Sequence, residues 1–349
     1  MKTIAFEEAR SVVMAALERA GVPQPHAVLQ ADLLLEAELR GRASHGLLRL
    51  NRIIERIHNG VADPLATGDH RWRGSFLDVD GKRGLGPVVA CAALDVLIER
   101  ARANGIAIGA IRNNNHLGML AWYADRIARR GLILIALCNS EALVHPWGGR
   151  KAMIGTNPIA IGVPTADQPF VLDMATSLVS MGQIHNYANQ ERPLPPGWAL
   201  DADGNPTTDA AAAKRGSIAP FGAAKGYALG LAFEVLIGTI TGSEVGVDVQ
   251  GTLDSEAPCN KGDVFIVIDS AADSATARTT AQRISRYLDS IRASGLEGGD
   301  QVQVPGDRAL AMRRTLMESG LPIEDDVWEK IKERASHGSH SSAQGMQHE

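Results

Sequence analysis

Residues 75–105 read SFLDVDGKRGLGPVVACAALDVLIERARANG, and the glycines at the front of this stretch decide what kind of fold the chain can have. SFLDVD reads as a strand, GKRGLG as a turn, and PVVACAALDVLIERARANG as a helix opened by Pro87. GIAIGAI (105–111) follows as a second strand. A strand, a glycine turn and a helix invite a dinucleotide-binding Rossmann reading. The glycines, however, are Gly81, Gly84 and Gly86, a GxxGxG order in place of GxGxxG, with Lys82 and Arg83 inside the turn. The second strand ends in Arg112 and Asn113, where no acidic residue stands to hold a ribose 2′-hydroxyl. The stretch falls short of the Rossmann fingerprint.

Working outward, IRNNNHLGM (111–119) places three asparagines and His116 where the second strand ends, with a helix (LGMLAWYADRIARRG) expected just beyond. LILIALCNS (132–140) is a third strand, residues 145–170 are rich in Gly and Pro, VLDMATS (171–177) is a short strand end, and 189–210 is a loop by composition. A helix from about 225 to 240, a strand at 264–269, a helix near 271–294, the turn VPGDR (304–308) and a last helical segment near 306–318 complete this half. Toward the N-terminus, 5–20 and 26–41 carry helical apolar spacing, and Ser44 is expected to cap a third helix reaching about residue 58. The polar tail 335–349 (ASHGSHSSAQGMQHE) reads as disordered.

At 349 residues and 45% hydrophobic content the chain is long enough for two domains with real cores. A net charge of −5 with no basic patch argues against nucleic acid as the main partner. No apolar run nears the ~18 to 20 residues of a membrane span, and the N-terminus lacks a secretory signal, so a cytoplasmic location is expected. Cys91, Cys138 and Cys259 are far apart and lack metal-ligand spacing, so they read as reduced thiols with no metal site expected.

RASHGLLRL (42–50) carries chemistry. Leu47, Leu50, Ile53, Ile54 and Ile57 share one helical face at 100° per residue, while His45 and Arg49 are i, i+4 neighbours away from that stripe. A histidine and an arginine within one turn offer a proton carrier and a bidentate carboxylate clamp, which suits a small acid, with a second surface needed to close the pocket. His116 is the other candidate: a helix start disfavours imidazolium, and a neutral ring can accept the proton of a substrate hydroxyl. His145 and His185 read as structural.

Taken in order, SHGLLRL (44–50), RNNNHLG (112–118), PWGGRKAMIGTNPIAIGVP (146–164), VLDMATS (171–177), GNPTTD (204–209), FGAAKGYAL (221–229) and VPGDR (304–308) resemble the malate/L-lactate dehydrogenase family. That group also includes ureidoglycolate and sulfolactate dehydrogenases, diketogulonate reductase and the cyclic-imine reductase acting on piperideine-2-carboxylate. The resemblance implies an α/β (α+β) architecture. A non-Rossmann NAD(P)-binding mixed sheet domain at 71–269 is joined to a discontinuous helical domain of 1–70 plus about 270–334. It also implies a homodimer with the active site near the subunit interface.

Carried over residue by residue, the resemblance places cofactor contacts on Ser140, on Asp173, Met174, Ala175 and Thr176, on Lys225 and Gly226, and on Pro305, Gly306 and Asp307. Lys225 would neutralise a phosphate and the carboxylates would hold ribose hydroxyls. The family gives the acid/base role to the histidine at His116 in some members and to the SHG histidine, His45, in others, so both are carried with His116 first, and Arg49 and Ser44 would bind substrate. GTNP (155–158) reads as architectural.

The expected reaction is hydride transfer between NAD or NADP and C2 of a small 2-hydroxy or 2-oxo acid of the malate, lactate or sulfolactate kind. The alternatives are reduction of a cyclic imino acid or a catalytically inert acid-binding dimer. The ureidoglycolate branch carries an arginine where this chain has APCNKGD (257–263), which speaks against that substrate. The stretch 183–192 offers only Arg192 to meet a 2′-phosphate, which favours NAD.

Overall fold

In the computed structural model, which describes residues 2–270, 273–296 and 302–336, the chain opens with strand β1 (Lys2–Ile4) and helices α1 (Phe6–Arg19) and α2 (Gln24–Leu39). Two single 3₁₀ turns, Ala43–His45 and Leu47–Arg49, lead into α3 (Leu50–His58). Next come β2 (Asp69–Arg73), β3 (Phe76–Asp80), α4 (Gly86–Asn104), β4 (Ile106–Arg112), α5 (Leu120–Arg129), β5 (Ile133–Cys138), β6 (Ile159–Val163) and β7 (Phe170–Met174). A smaller unit follows: α6 (Met181–Asn189), β8 (Ala199–Leu200), β9 (Pro206–Thr207), α7 (Ala210–Ala213) and β10 (Ser217–Ile218). The long helix α8 (Ala223–Thr241), β11 (Asp263–Ile268), α9 (Ser274–Arg292), α10 (Asp307–Ser319), β12 (Leu321–Ile323) and α11 (Asp325–Ser336) close the order.

The quoted stretch forms a right-sized βαβ unit: β3 and β4 pair in parallel across the α4 crossover. It does not extend into a Rossmann sheet, because the far side of β4 is taken by β11, antiparallel and drawn from 150 residues downstream. The sheet runs β2-β3-β4-β11-β5-β6-β7, and every pair except β3 with β4 is antiparallel. It is thus a mixed α/β sheet of non-Rossmann order. Helix α4 is apolar around most of its circumference because it lies between layers, burying Val88, Val89, Ala93, Leu94, Leu97 and Ile98. Gly109 in β4 leaves room for Leu97, which a β-carbon there would meet at 2.7 Å.

The two ends of the chain come together. β1 pairs with β12, and α1, α2, α3 and α11 share a core that includes Val13, Leu17, Leu34, Leu50, Ile54, Leu321 and Trp328. Helix α2 serves two cores at once, turning Leu33 and Ala37 to the sheet and Leu34 and Leu35 to the helices.

Three expectations need correction. Ser44 caps no helix: it lies in a 3₁₀ turn, and its hydroxyl meets His45. The buried Glu38 side chain takes the capping duty instead, accepting the Leu47 N–H at 2.6 Å and lying so close to Gly46 that no β-carbon fits there. The helix after His116 begins at Leu120, since Gly118 (φ +73°) and extended Met119 keep 117–119 out of it. Finally, Ala335 and Ser336 close α11, whose Val327, Trp328 and Ile331 are buried, so these two residues belong to a packed helix and not to a tail. The rest of that tail, 337–349, lies outside the described residues.

Candidate active site

The three asparagines before His116 each have a separate task. Asn113 adopts φ +52° and its carbonyl accepts from Arg83 N–H, which turns the chain at the end of β4. Asn114 is fully buried and donates to Asp263 at 3.2 Å. Asn115 donates to the carbonyls of Arg83 and Gly84 at 2.7 and 2.9 Å and accepts from Arg56 Nε at 2.9 Å. The glycine turn is explained by the same corner: a β-carbon on Gly86 would collide with the His116 carbonyl, so Gly86 lets the start of α4 lie directly on the 115–116 backbone.

His116 therefore stands on a rigid corner, and the SHG segment brings His45 to it, with ring centroids 5.5 Å apart and planes tilted by 40°. His116 Nδ1 accepts the Gly118 N–H at 2.9 Å. A nitrogen that accepts carries no proton, so the neutral ring holds its hydrogen on Nε2. His45 Nδ1 lies 3.0 Å from the Ser44 hydroxyl, which can donate or accept. Burial, then Arg49 and Arg42, pull the His45 imidazole down to about 4. Burial, then Arg49, His45, Lys261 and Arg52, hold His116 well below the usual histidine range. Burial and neighbouring cations, and not the helix start assumed from the sequence, keep both rings neutral.

Arg49 donates from Nε to the Ser44 carbonyl (2.9 Å) and from Nη1 to the Thr252 carbonyl (3.0 Å). Burial and then Arg52 bring its guanidinium down to about 10. The Thr252 contact supplies the second surface that His45 and Arg49 required. Residues 250–257 form a strap held across α3: Arg56 Nη1 donates to Asp254 O and Asn59 to Ser255 O, while Glu141 accepts from Thr252 N, Thr252 Oγ1 and Leu253 N. The pocket beneath is lined by Gln30, His45, Arg49, Arg52, Arg56, Asn115, His116 and Thr252 among its polar residues, with no Asp or Glu. Arg52, Arg56 and the strap were missed from the sequence. The signal was there in part: 49, 52 and 56 fall on one helical face, opposite the buried Leu50 and Ile54.

The expected cofactor residues gather elsewhere, along the β5-β6-β7 side of the sheet. Ser140 Oγ accepts the Thr156 N–H, and Thr176 N and Oγ1 both donate to the Thr156 carbonyl, so the ends of β5 and β7 are stitched through GTNP. That loop is fastened by Glu234 of α8, which sequence reasoning did not single out: its carboxylate accepts from Gly155 N and Asn157 Nδ2 and holds Asn157 at φ +30°. Lys225 is exposed in the first turn of α8, whose N-cap is Gly222 with no side-chain cap, leaving backbone N–H groups and an ammonium together. Gly306 lies against β7 at the Val171 carbonyl.

Met174 and Ala175 continue β7 toward Thr176. Two carboxylates are less free than expected. Asp173 accepts the Ala121 N–H at the start of α5, and Asp307 is bound by Arg292 Nε and Nη2 at 2.9 and 2.8 Å. The uncapped helix start, Lys225 and the close backbone approaches nonetheless suit a dinucleotide. Asn260 and Lys261 are engaged within the protein: Asn260 ties Gln250 to Asp248, and Lys261 is buried against Asp263.

No group of three or more potential metal ligands occurs among the described residues. No helix there is long and apolar enough to cross a membrane.

The family model for malate/L-lactate dehydrogenase matches residues 4–332. A crystal structure of a dehydrogenase from Sinorhizobium meliloti superposes with a TM-score of 0.91 at 49% identity, covering 96% of this chain and 98% of that one. The malate/(S)-sulfolactate dehydrogenase of Methanothermus fervidus is 34% identical over 95% of this chain and 97% of its own length. The Δ1-pyrroline-2-carboxylate/Δ1-piperideine-2-carboxylate reductase of Pseudomonas putida is 32% identical over 95% and 96%.

Proposed function

The chain belongs to the malate/L-lactate dehydrogenase family, and from that premise we propose that it moves a hydride between a nicotinamide cofactor and C2 of a small 2-hydroxy or 2-oxo acid. The observation that carries this reading is the pocket of two neutral histidine rings 5.5 Å apart beside an arginine that has no hydrogen-bonded or ion-paired carboxylate among the described residues. Arg49 keeps N–H groups for the substrate carboxylate after its two backbone bonds. His116 presents Nε2–H to the C2 oxygen as a fixed hydrogen-bond donor, and its Nδ1, occupied by Gly118 N–H, prevents it from becoming imidazolium. His45 is then the proton carrier, because the Ser44 hydroxyl can reorient to suit either protonation state.

This reverses the order in which the sequence placed the two rings. In oxidation the hydroxyl proton passes to His45 as C2 gives up its hydride and the C2–O bond becomes a carbonyl; reduction runs the other way. Ser140, 173–176, Lys225, Gly226 and 305–307 would hold the dinucleotide, whose nicotinamide would supply the two-electron acceptor or donor.

We carry NAD as the preferred cofactor, since Arg192, the one arginine of 183–192, is engaged over the Tyr187 ring at 4.8 Å and with Gln190. We also carry a homodimer. Helix α8 is apolar on nearly every face, yet Leu229, Leu231, Val235 and Leu236 are exposed beside Val245 and Val247, a patch of the kind that a second subunit covers.

A second reading, favoured by the Pseudomonas putida relative, is reduction of a cyclic imino acid on the same arginine. Following NADH and NADPH absorbance with a panel of 2-oxo acids and cyclic imines tests all of this. Turnover of 2-oxo acids with NADH is expected. Turnover of imines alone would select the second reading, and none with any compound would leave an acid-binding protein.

A further inference from the structure

Three arginines, Arg49 just before α3 and Arg52 and Arg56 on it, line the pocket, and the substrate carboxylate accounts for only one of them. Arg56 has a side chain 6% exposed. Its Nε donates to Asn115 and its Nη1 to the Asp254 carbonyl, while Nη2 is buried with no hydrogen-bond partner among the described residues. Asp254 Oδ1 stands 4.0 Å from Nη1, beyond hydrogen-bonding range, and accepts the N–H groups of Glu256 and Ala257. Arg52, half-buried between Arg49 and Arg56, makes no hydrogen bond or ion pair among the described residues. A buried charged donor left unpaired is costly, and one that lines a pocket is in place to be completed by what the pocket binds. The pocket lining holds no Asp or Glu, and the two carboxylates that act on these arginines from outside it, Glu141 and Asp254, hydrogen-bond to backbone N–H groups of the strap and not to a guanidinium.

We propose that Arg52 and Arg56 Nη2 form a second anion subsite, so that the substrate is a dianion: a 2-hydroxy or 2-oxo acid bearing a second carboxylate or a sulfonate on its far carbon. The inference rests on the reading of Arg49 as the clamp for the first carboxylate. The two anionic ends would then bracket C2 between Arg49 and the Arg52–Arg56 pair, turning the C2 oxygen toward the histidines. Monoanionic acids, including lactate and cyclic imino acids, would leave the second subsite empty.

Two measurements on the whole protein test this. The first needs no turnover. Succinate and butyrate have the same carbon skeleton and differ by one carboxylate, so succinate at millimolar concentration should raise the melting temperature by several degrees and butyrate by much less. Arg52→Gln should remove most of the difference. Equal shifts from the two acids would overturn the subsite.

The second compares kcat/KM for oxaloacetate, 3-sulfopyruvate and pyruvate. The wild type should favour the dianions by ~10²-fold or more, and Arg52→Gln should collapse that ratio by ~10-fold or more, the scale of a charge-assisted hydrogen bond. An unchanged ratio would overturn the proposal. Oxaloacetate ahead of 3-sulfopyruvate would place a carboxylate in the subsite, and the reverse a sulfonate. Turnover of pyruvate as fast as the dianions would remove the subsite and leave the hydride-transfer reading standing. No turnover of any acid, with succinate still outbinding butyrate, would remove the hydride-transfer reading and leave the subsite.

Discussion

Two sets of enclosed positive charge act on His116, and they are built on opposite terms. Lys261 sits in the sheet with its ammonium 2.5 and 2.6 Å from the Asp263 oxygens, both side chains no more than 1% exposed, and Asn114 donating to the same carboxylate. Burial alone would lower Lys261, but Asp263 beside it holds it above its ordinary value. At the start of α3 and along its face, Arg49, Arg52 and Arg56 have no carboxylate at hydrogen-bond distance among the described residues; burial and then Arg52 lower Arg49, and burial, with Arg52 adding to it against the pull of Asp254 and Glu141, lowers Arg56. The first charge is neutralised by the protein and serves the fold. The second is left for something that arrives. Position near His116 therefore does not by itself mark a cation for a ligand; guanidinium donors left without a hydrogen-bonded carboxylate do.

The comparison breaks most visibly in stability. Lys261→Met leaves Asp263 as an unpaired buried carboxylate at the head of β11, the central strand, and should cost ~3–5 kcal/mol. Lys261→Met with Asp263→Leu should recover most of that loss, because two apolar groups replace two ions. Urea denaturation reads both. A single variant that loses less than ~1 kcal/mol would show that the pair does not hold the sheet.

Catalysis divides the histidines next. His45→Asn should lower kcat by ~10² or more, about 2.7 kcal/mol, and abolish the acid limb of the oxidation profile. His116→Asn keeps an N–H donor and should lose ~10-fold with its acid limb intact. The opposite pattern would return the proton to His116. For Arg49, Arg49→Lys should raise KM for acids by ~10-fold or more while cofactor affinity stays unchanged, since an ammonium cannot grip a carboxylate with two prongs. An unaltered KM would remove Arg49 from the pocket's function.

The pH dependence sharpens the link between the cations and the base. Arg49 contributes to the depression of His45 to about 4, so binding an anion on Arg49 should lift His45 toward its ordinary value. Oxidation needs the ring neutral and is lost as pH falls through its pKa. The acid limb of kcat/KM, which reports the enzyme before the acid binds, should lie below that of kcat, which reports the loaded enzyme. Coincident limbs would mean that substrate charge does not reach the ring.

These features were unequally legible in the sequence. The strand, turn and helix at 75–105 read correctly because local periodicity decides them, whereas the sequence pairs His45 and Arg49 as i, i+4 neighbours of one helix that the structure breaks at Gly46 into two 3₁₀ turns, with Arg49 drawn back by its bond to the Ser44 carbonyl. The middle of the sheet did not: β11 enters from far downstream, and nothing local to 263–268 says which strands it joins. β6 was hidden among the glycines and prolines of 145–170. Glu234 looked like one more residue of an apolar helix, and Glu38 like an ordinary acid near the end of α2, because a buried carboxylate is recognised by the N–H groups that chain reversal delivers to it. The strap at 250–257 received no assignment from the sequence, and its place over α3 depends on where β11 begins.

The smallest expected effect separates the two kinds of charge most cleanly. Arg52 has no bond to lose, and it sits between two other arginines, so Arg52→Gln should leave ligand-free stability unchanged or raise it by up to ~0.5–1 kcal/mol as repulsion is relieved. The gain should shrink as salt is added, since Arg52 is half exposed and its repulsion is screened. In the presence of succinate the order should invert, the wild type becoming the more stable protein, because only it completes the subsite. A ligand-free loss above ~1 kcal/mol would show that Arg52 holds the fold as Lys261 does, and the contrast between the two regions would disappear.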